Sequence, residues 1–425
     1  MNDFMHDIEL SERDQAMLAG EEGRAAQIAL RIVIKIAVVQ GAKKLLDISN
    51  VHVGGSIYTG QASLKVIETF AQLGARVRVP TSINAISIDR LRWRDQNVDP
   101  EFAGYADRLA AAFEAMGANP IFSCTPYIFP DSPKLGDDIV WAESNAIVYS
   151  NSVLGARTNR HGDFLDICAA ITGRAPCCGL HLDENRKGNF LVNVPHLTNL
   201  DSSFYTVLGY LIGKYAGSDI PVISGLDEKP SVEDLKYLSS TLATSGAVGM
   251  FHMVGVTPEA PTLSQALGGS QASRTLDVTR EDLLSVFTKL STAHDEKLDL
   301  VLLGSPHFTL GDFKVLAELV DAKQASGKCD VLITTSQFVY QQAQESGYVG
   351  RIERFGARVS TDLCLCMLNA SMFPSSTKTA MTNSGKFAHY GPGLIGKGVY
   401  FGNLQDCVNS AVAGKRVIEH PRWLQ

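Results

Sequence analysis

From residue 298 to residue 362, apolar runs alternate with amphipathic stretches at a spacing that leaves few folds open. "LDLVLLG" (298–304), "CDVLITT" (329–335) and "ARVSTD" (357–362) have the length and character of buried strands. Between them, "TLGDFKVLAELVDAKQ" and "QFVYQQAQESG" carry helical periodicity. Strands separated by helices are joined by crossovers, which pair them parallel. Upstream, "TREDLLSVFTKLSTAH" (279–294) predicts a helix with Thr279 as N-cap and Glu281 and Asp282 in its first turn. "AVGMFHMVG" (247–255) predicts a buried strand. The first half keeps the same rhythm. Ser11 with Asp14 opens a helix, and helix formers run from about 24 to 40. "KKLLDIS" and "ARVRVP" predict strands around a helix at "QASLKVIETFAQLG", which Gly74 stops. The expected class is α/β, with parallel or mixed sheets flanked by helices. The expected division is 1–224, holding most of the polar motifs; 225–362, a parallel-sheet domain; and 363–425, returning to the cleft.

With 425 residues, 45% of them hydrophobic, the chain can bury two or three cores. A formal charge of −7 and no run of Lys and Arg exclude a nucleic-acid footprint. Eight cysteines in so long a chain are too sparse for a disulfide scaffold, so a reducing, cytoplasmic setting is expected. "MNDFMHDIELSERD" does not read as a secretory signal. The apolar run 28–39 is interrupted by Arg31 and Lys35 and is too short to span a bilayer.

Ligands bind beyond the carboxyl ends of parallel strands. "GSPHF" (304–308), "TTSQF" (334–338) and "TDLC" (361–364) fall at such ends. Cys364 therefore stands where a site is expected, although Cys364–Leu365–Cys366 can equally be packing thiols. "FSCTPYIFP" holds Cys124, either a buried thiol or a ligand on a rigid loop. "AESNAIVYSNSVLGARTNRHGD" (142–163) is the densest polar passage, and its arginines and amides suit a carboxylate pocket as well as a polar loop. "APCCGLHLDENRKGN" sets Cys177 and Cys178 side by side, so at most one of them serves any one site. "TNSGKFAHYGPG" brings Asn383, Ser384 and Lys386 to a glycine-rich turn able to grip an anion. "NVHVGGSIYTG" sets His52 against Gly54 and Gly55, where backbone can approach a ligand. No paired CxxC, Walker, G-x-S-x-G or GxGxxG signature is present.

Together these passages resemble the aconitase X family, in particular its large, catalytic subunit. "MLAGEEGRA", "VHVGGSIYTGQASL", "VPTSINAISID", "FSCTPY", the 142–163 passage, "ITGRAPCCGLHLDENR", "FHMVGVTPEA", "LGSPHF", "TDLC" and "TNSGKFAHY" carry the resemblance, in order, along nearly the whole chain. It implies an aconitase-like multi-domain arrangement with the swivelling domain absent. No stretch before residue 17 or after the last motif is long enough for that domain, so a separate small subunit is the expected partner. It also implies a hydro-lyase acting on a small β-hydroxy acid, with cis-3-hydroxy-L-proline preferred over mevalonate 5-phosphate. The implied cofactor is an iron–sulfur cluster, 2Fe–2S preferred, or mononuclear iron.

Residue by residue, the resemblance implies Cys124 and Cys364 as iron ligands. A third cysteine, found in many members in a G-C-P-H stretch, is here Ser305. Cys178 is the expected replacement, with Cys177 and Cys366 behind it. Arg157 and Arg160 are expected to hold the substrate carboxylate, oriented by Ser144, Asn145, Ser152 and Asn159, with Asn383 and Ser384 as further contacts. Lys386 is expected as an anionic contact or acid. His52 and His307 are in-chain candidates for proton transfer, because histidine titrates near neutrality; otherwise the base is expected on the small subunit. The competing reading is a non-catalytic two-domain small-molecule binding protein.

Overall fold

The computed structural model describes residues 8–368 and 370–425. Among them, the strands form three parallel sheets and one short antiparallel pair, Leu45–Asp47 with Arg174–Pro176. In the first sheet, Asn50–Val53 lies between Thr81–Ile83 and Ile139–Trp141. Helix Arg24–Val39 covers this region. It buries Leu30, Val33, Ile34 and Ala37 against helix Leu165–Thr172 and leaves Arg31 and Lys35 exposed. Burial of Leu30, Val33 and Ile34 contributes about 1.5–3 kcal/mol each relative to leaving them in water. The predicted strand "ARVRVP" is not one. The N–H groups of Val77 and Arg78 go to the carbonyls of Met116 and Ala170, and the strand begins only after Pro80, which has no N–H to give a ladder.

The second sheet runs His252–Met253, Pro221–Ser224, Phe190–Asn193, Arg274–Asp277, and joins residues on both sides of the expected boundary at 224. Of the predicted strand 247–255, only two residues pair in a sheet. The carbonyl of Gly249 and the N–H of Phe251 instead bond the side chains of Asn151 and Ser152. Helices Ser202–Ala216 and Val232–Ser245 pack at close range over Gly209, where a Cβ would come within 2.4 Å of Thr241 Oγ1.

Three strands of the third sheet are those the alternation predicts; the other two, Thr379–Thr382 and Gly398–Phe401, lie in the stretch expected only to return to the cleft. The sheet's order is Ala357–Thr361, Asp330–Thr335, Leu300–Leu303, Thr379–Thr382, Gly398–Phe401, all parallel. The helices between are Leu310–Leu319 and Gln337–Glu345, followed by Tyr348–Phe355. Helix Leu310–Leu319 starts with a capping box of Thr309 and Asp312. Asp312 is buried and has a second task. It pairs with the fully buried Lys236 of the neighbouring helix and accepts from Tyr237 Oη at 3.1 Å. Lys236 Nζ also lies 3.4 Å from the carbonyl of His307, so the pair props the loop between strand and helix. Among the described residues, no helix is long and apolar enough to cross a membrane.

Removing one partner of a buried pair leaves an uncompensated charge. Lys236→Met is expected to lower the unfolding free energy by about 3–5 kcal/mol. Lys236→Met/Asp312→Asn should lose less than that single variant. Chemical denaturation measures both, and a double variant weaker than the single one would show that the two charges are not coupled.

Candidate active site

The carboxyl ends of the first and third sheets meet. The N–H of Ile86 bonds the carbonyl of Asp362 at 2.9 Å, and Asp89 accepts from Thr361 N and Ser360 Oγ, each at 3.0 Å. Beyond Leu303 come Ser305 and His307, beyond Thr361 comes Cys364, and beyond Thr382 come Asn383, Ser384 and Lys386. From the first sheet, Val53 leads into Gly54, Ile83 into Asn84 and Trp141 into Glu143. The passage after Glu143 is no loop. It is helix Ser144–Tyr149 followed by a wider turn, Ser150–Leu154, and most of it is buried.

Cys124, His307 and Cys364 each place a donor atom within 4.8 Å of the other two, and all three are buried. The Cys124 sulfur accepts from the His307 N–H at 3.1 Å. His307 Nε2 faces the carbonyl of Leu363 at 3.0 Å. A carbonyl only accepts, so Nε2 carries the proton and Nδ1 keeps a lone pair. That Nδ1 is buried with no hydrogen-bond partner. Two thiols and an orphaned imidazole nitrogen fit a thiophilic metal such as iron. The Cys364 thiol is pushed up by its hydrogen bond with Cys124 and by burial, so closely spaced sulfurs ionise together only with a cation among them.

Beside the sulfurs lies a largely buried ion pair, each side chain about one-eighth exposed. Lys386 Nζ is 2.7 Å from Glu143 Oε1 and 3.5 Å from Ser144 Oγ. Burial would raise the Glu143 carboxyl, but the Lys386 ammonium and hydrogen bonds from Asn145 outweigh it and hold the pKa at about 2. Burial disfavours the Lys386 charge, yet Glu143 and the thiols of Cys366 and Cys364 keep it raised well above its ordinary range. Asn145 ties the two groups together. Its Nδ2 donates to Glu143 at 2.8 Å and to the Cys124 carbonyl at 3.0 Å, while its Oδ1 accepts from Tyr127 at 2.9 Å.

His52 lies within the field of Glu143 and bonds Ser82 Oγ at 2.8 Å, with Nε2 unpartnered. Burial lowers both His52 and His307 to about 4. Both are neutral imidazoles at pH 7, so the expectation that they titrate near neutrality does not hold. Gly54 is required by proximity, since a Cβ there would meet Ala142 at 2.8 Å and Asp163 Oδ1 at 3.3 Å. Asp163 is exposed, and burial and Glu143 raise its carboxyl. Ser384 caps helix Gly385–Ile395 and also donates to the Ser305 carbonyl. Asn383 donates to Tyr237 Oη at 3.1 Å, and its Oδ1 is buried without a partner.

Several expected residues are not brought to this point. Cys178 faces Gln40 Oε1 at 3.4 Å and Asn159, away from the Cys124–His307–Cys364 group, and Cys177 is its chain neighbour. Asn159 is spent on the backbone of Cys178 and Leu180. Ser152 accepts from the N–H of Phe251. Arg157 is held by the His181 carbonyl at 3.0 Å and by Asp183. Arg160 is exposed, with its stem over Gly249. Each is a polar side chain answering a local backbone or surface need, which composition cannot distinguish from a ligand. Glu143 lies in the polar passage 142–163, but nothing local sets it apart from the passage's other polar residues. A groove of about 500 Å³, lined by Arg92, Asp95, Asp330, Arg358 and Phe373, opens at the amino ends of the third sheet instead.

The profile of the aconitase X first domain matches residues 7–184, that of its second domain 188–288 and that of its third 298–413. The chain belongs to the aconitase X family. It is 48% identical over 412 residues to the cis-3-hydroxy-L-proline dehydratase of Pseudomonas aeruginosa, covering 97% of this chain and 71% of that protein. It is 35% identical to the phosphomevalonate dehydratase large subunit of Methanothermobacter thermautotrophicus, covering 92% and 95%. The crystal structure of Thermococcus kodakaraensis aconitase X in its holo form superposes with a TM-score of 0.85 at 32% identity, over 95% of this chain and 100% of that one. The aconitase-like α/β fold expected from the sequence is the one observed. These relatives are dehydratases by name, which sets aside the non-catalytic binding protein. Membership of an aconitase-like family suggests a metal or iron–sulfur cofactor, and the Cys–His–Cys donors are its candidate seat.

Because the Glu143 carboxyl is lowered from 4.5 to about 2, its ionisation favours the folded state. The contribution is present above about pH 4.5, is lost as pH falls toward 2, and is on the order of 3 kcal/mol. Urea unfolding of the wild type and Glu143→Gln should show a stability gap at pH 6 that narrows by pH 3. A gap that widened on acidification would give the linkage the wrong sign.

Proposed function

We propose that the chain is the catalytic part of a hydro-lyase that dehydrates cis-3-hydroxy-L-proline to Δ1-pyrroline-2-carboxylate. The observation that carries the reading is the buried Cys124–His307–Cys364 donor group beside the Lys386–Glu143 pair, in a chain 48% identical to a protein named for that reaction. In such a dehydration the α C–H bond breaks and its proton goes to a base. The C–O bond breaks, the hydroxide takes up a proton and leaves as water, and the C2=C3 enamine so formed passes its N–H proton to C3 to give the Δ1 imine. Negative charge develops beside the substrate carboxylate. Lys386 is held charged by Glu143 and supplies a fixed positive charge there. Glu143, ionised throughout the neutral range, orients Lys386 and does not donate a proton. Glu143 and the exposed Asp163 also give the cleft the negative character that a substrate with a protonated ring nitrogen requires. Asn145 and Ser144 fix the pair's position. When bound at the thiols, iron, as a 2Fe–2S cluster or a single ion, supplies a Lewis acid for the departing hydroxyl.

The α-proton base is proposed to come from a small swivelling domain, carried by a partner subunit. The part of the Pseudomonas relative that this chain does not span, and the words "large subunit" in the archaeal names, support that reading. A cytoplasmic setting fits an enzyme whose eight cysteines are all free. The phosphomevalonate reaction is the second reading, supported by relatives such as the 35% identical large subunit. It is less favoured because the identity to those relatives is lower, 35% against 48%.

The test is anaerobic purification with the small subunit, followed by assay on both substrates. Turnover of cis-3-hydroxy-L-proline is expected, and turnover of phosphomevalonate alone would overturn the assignment. Lys386→Met should lower kcat/KM by at least about 100-fold while retaining iron. Cys364→Ala should lose both iron and activity.

A further inference from the structure

The passages 142–163 and 175–189 hold two histidines that the proposed mechanism does not use, and the fold brings them together. His161 follows Arg160, and His181 ends the short turn Gly179–His181. Their ring centroids are 6.3 Å apart, and both side chains are buried. Neither belongs to the Cys124–His307–Cys364 group. His181 is held at two points. Its carbonyl accepts from Arg157 at 3.0 Å, and its Nδ1 lies 2.7 Å from Asp138 Oδ1. A carboxylate only accepts, so Nδ1 carries the proton. In the neutral ring Nε2 keeps its lone pair, and that atom is buried without a hydrogen-bond partner. Neither nitrogen of His161 has a partner, so no hydrogen bond joins the two rings. Burial, and then the neighbouring His181, lower the His161 imidazole to about 3, so this ring is neutral near pH 7 and also offers a lone pair. Buried polar atoms are nearly always bonded, so three orphaned ring nitrogens side by side call for one partner between them.

We infer that His161 and His181 form a second metal site, for a zinc-like divalent ion, with Asp138 as the outer partner that orients His181. Metal-bound histidines commonly give one ring nitrogen to the ion and the other to a carboxylate, and the Asp138–His181 contact has that form. The spacing also fits. Zinc–imidazole bonds are about 2.0–2.1 Å long, so two rings on one ion stand with centroids up to about 6.4 Å apart. At 6.3 Å the two nitrogens would stand nearly opposed across the ion. A modest turn of His161, whose ring no hydrogen bond restrains, closes that angle toward tetrahedral. A pair of imidazoles without thiolate suits zinc, nickel or copper and not an iron–sulfur cluster. Water completes the shell. The role is structural: the ion clasps the segment that leads to Asp163 at the cleft onto the turn that ends at His181. The inference does not depend on the dehydratase reading.

The experiment is calorimetric titration of the full chain with zinc chloride, in a Cys124→Ala/Cys364→Ala background that removes the thiols of the iron donor group. One zinc ion per chain is expected, and X-ray absorption at the zinc edge should show two imidazoles and no sulfur. Loss of an outer partner costs about 10–100-fold in metal affinity, which is the effect expected of Asp138→Asn. His161→Ala and His181→Ala should each weaken binding by at least about 100-fold. Zinc should raise the melting temperature of the background protein and leave that of the two histidine variants unchanged. Circular dichroism of the zinc-free proteins checks that they fold. If an alanine variant does not fold, His161→Gln or His181→Gln carries the same expectation, and if the cysteine background does not fold, the iron-loaded wild-type chain takes its place. Unchanged zinc affinity in both histidine variants would overturn the inference. So would a zinc shell dominated by sulfur, or a chain that takes up no zinc.

Discussion

The pairing of Lys386 with Glu143 is the interaction on which the site depends. The two residues are 243 positions apart and follow strands of different sheets, yet their charged atoms meet at 2.7 Å in a largely buried setting. Burying two charges costs several kcal/mol per ion before their attraction is counted. Such a pair persists only where hydrogen bonds satisfy it, and Asn145 and Ser144 do so. Its consequence is geometric. It ties the segment after the first sheet to the segment after the third and sets a positive charge near the Cys364 and Cys366 thiols.

The same logic runs behind the metal donors. His307 is oriented from three sides: its N–H bonds Cys124, its Nε2 bonds Leu363, and its carbonyl lies near Lys236. Lys236 in turn is held by Asp312, which also caps the helix after the loop. A neutral imidazole fixed this firmly presents a single lone pair in a single direction, which suits a ligand better than a group that carries protons. The tyrosines and amides around it, Tyr127, Tyr237, Asn145 and Asn383, complete a polar shell whose members bond one another in the interior.

Membership of a dehydratase family and this arrangement lead to one chemical picture. In the proposed reaction, Lys386 is the fixed charge near which negative charge develops, the Cys–His–Cys donors would hold the Lewis acid, and Glu143 and Asp163 give the cleft its sign. The two classes of relative differ in substrate and in how much of their length this chain spans, 71% of the Pseudomonas dehydratase against 95% of the archaeal large subunit.

The sequence by itself determined three adjacent strands of the third sheet, since strand and helix periods alternate from 298 to 362, and the helix starts at Ser11 and Thr279, each closed by a local carboxylate. It also marked Cys124, Cys364, His307 and Lys386, because residues just past parallel strands and short distinctive motifs are local features. Only the tertiary structure decided what they meet. Arg157, Asn159 and Ser152 looked like substrate ligands but satisfy nearby backbone and surface groups, and Cys178 lies apart from the other thiols although it stands in an equally distinctive motif. Glu143 was hidden for the opposite reason: its partner is far away in the chain, and no local pattern records an ion pair between sheets. Contact between distant segments depends on how three parallel sheets are set against one another, and that is fixed by packing across the whole chain, not by any stretch short enough to read.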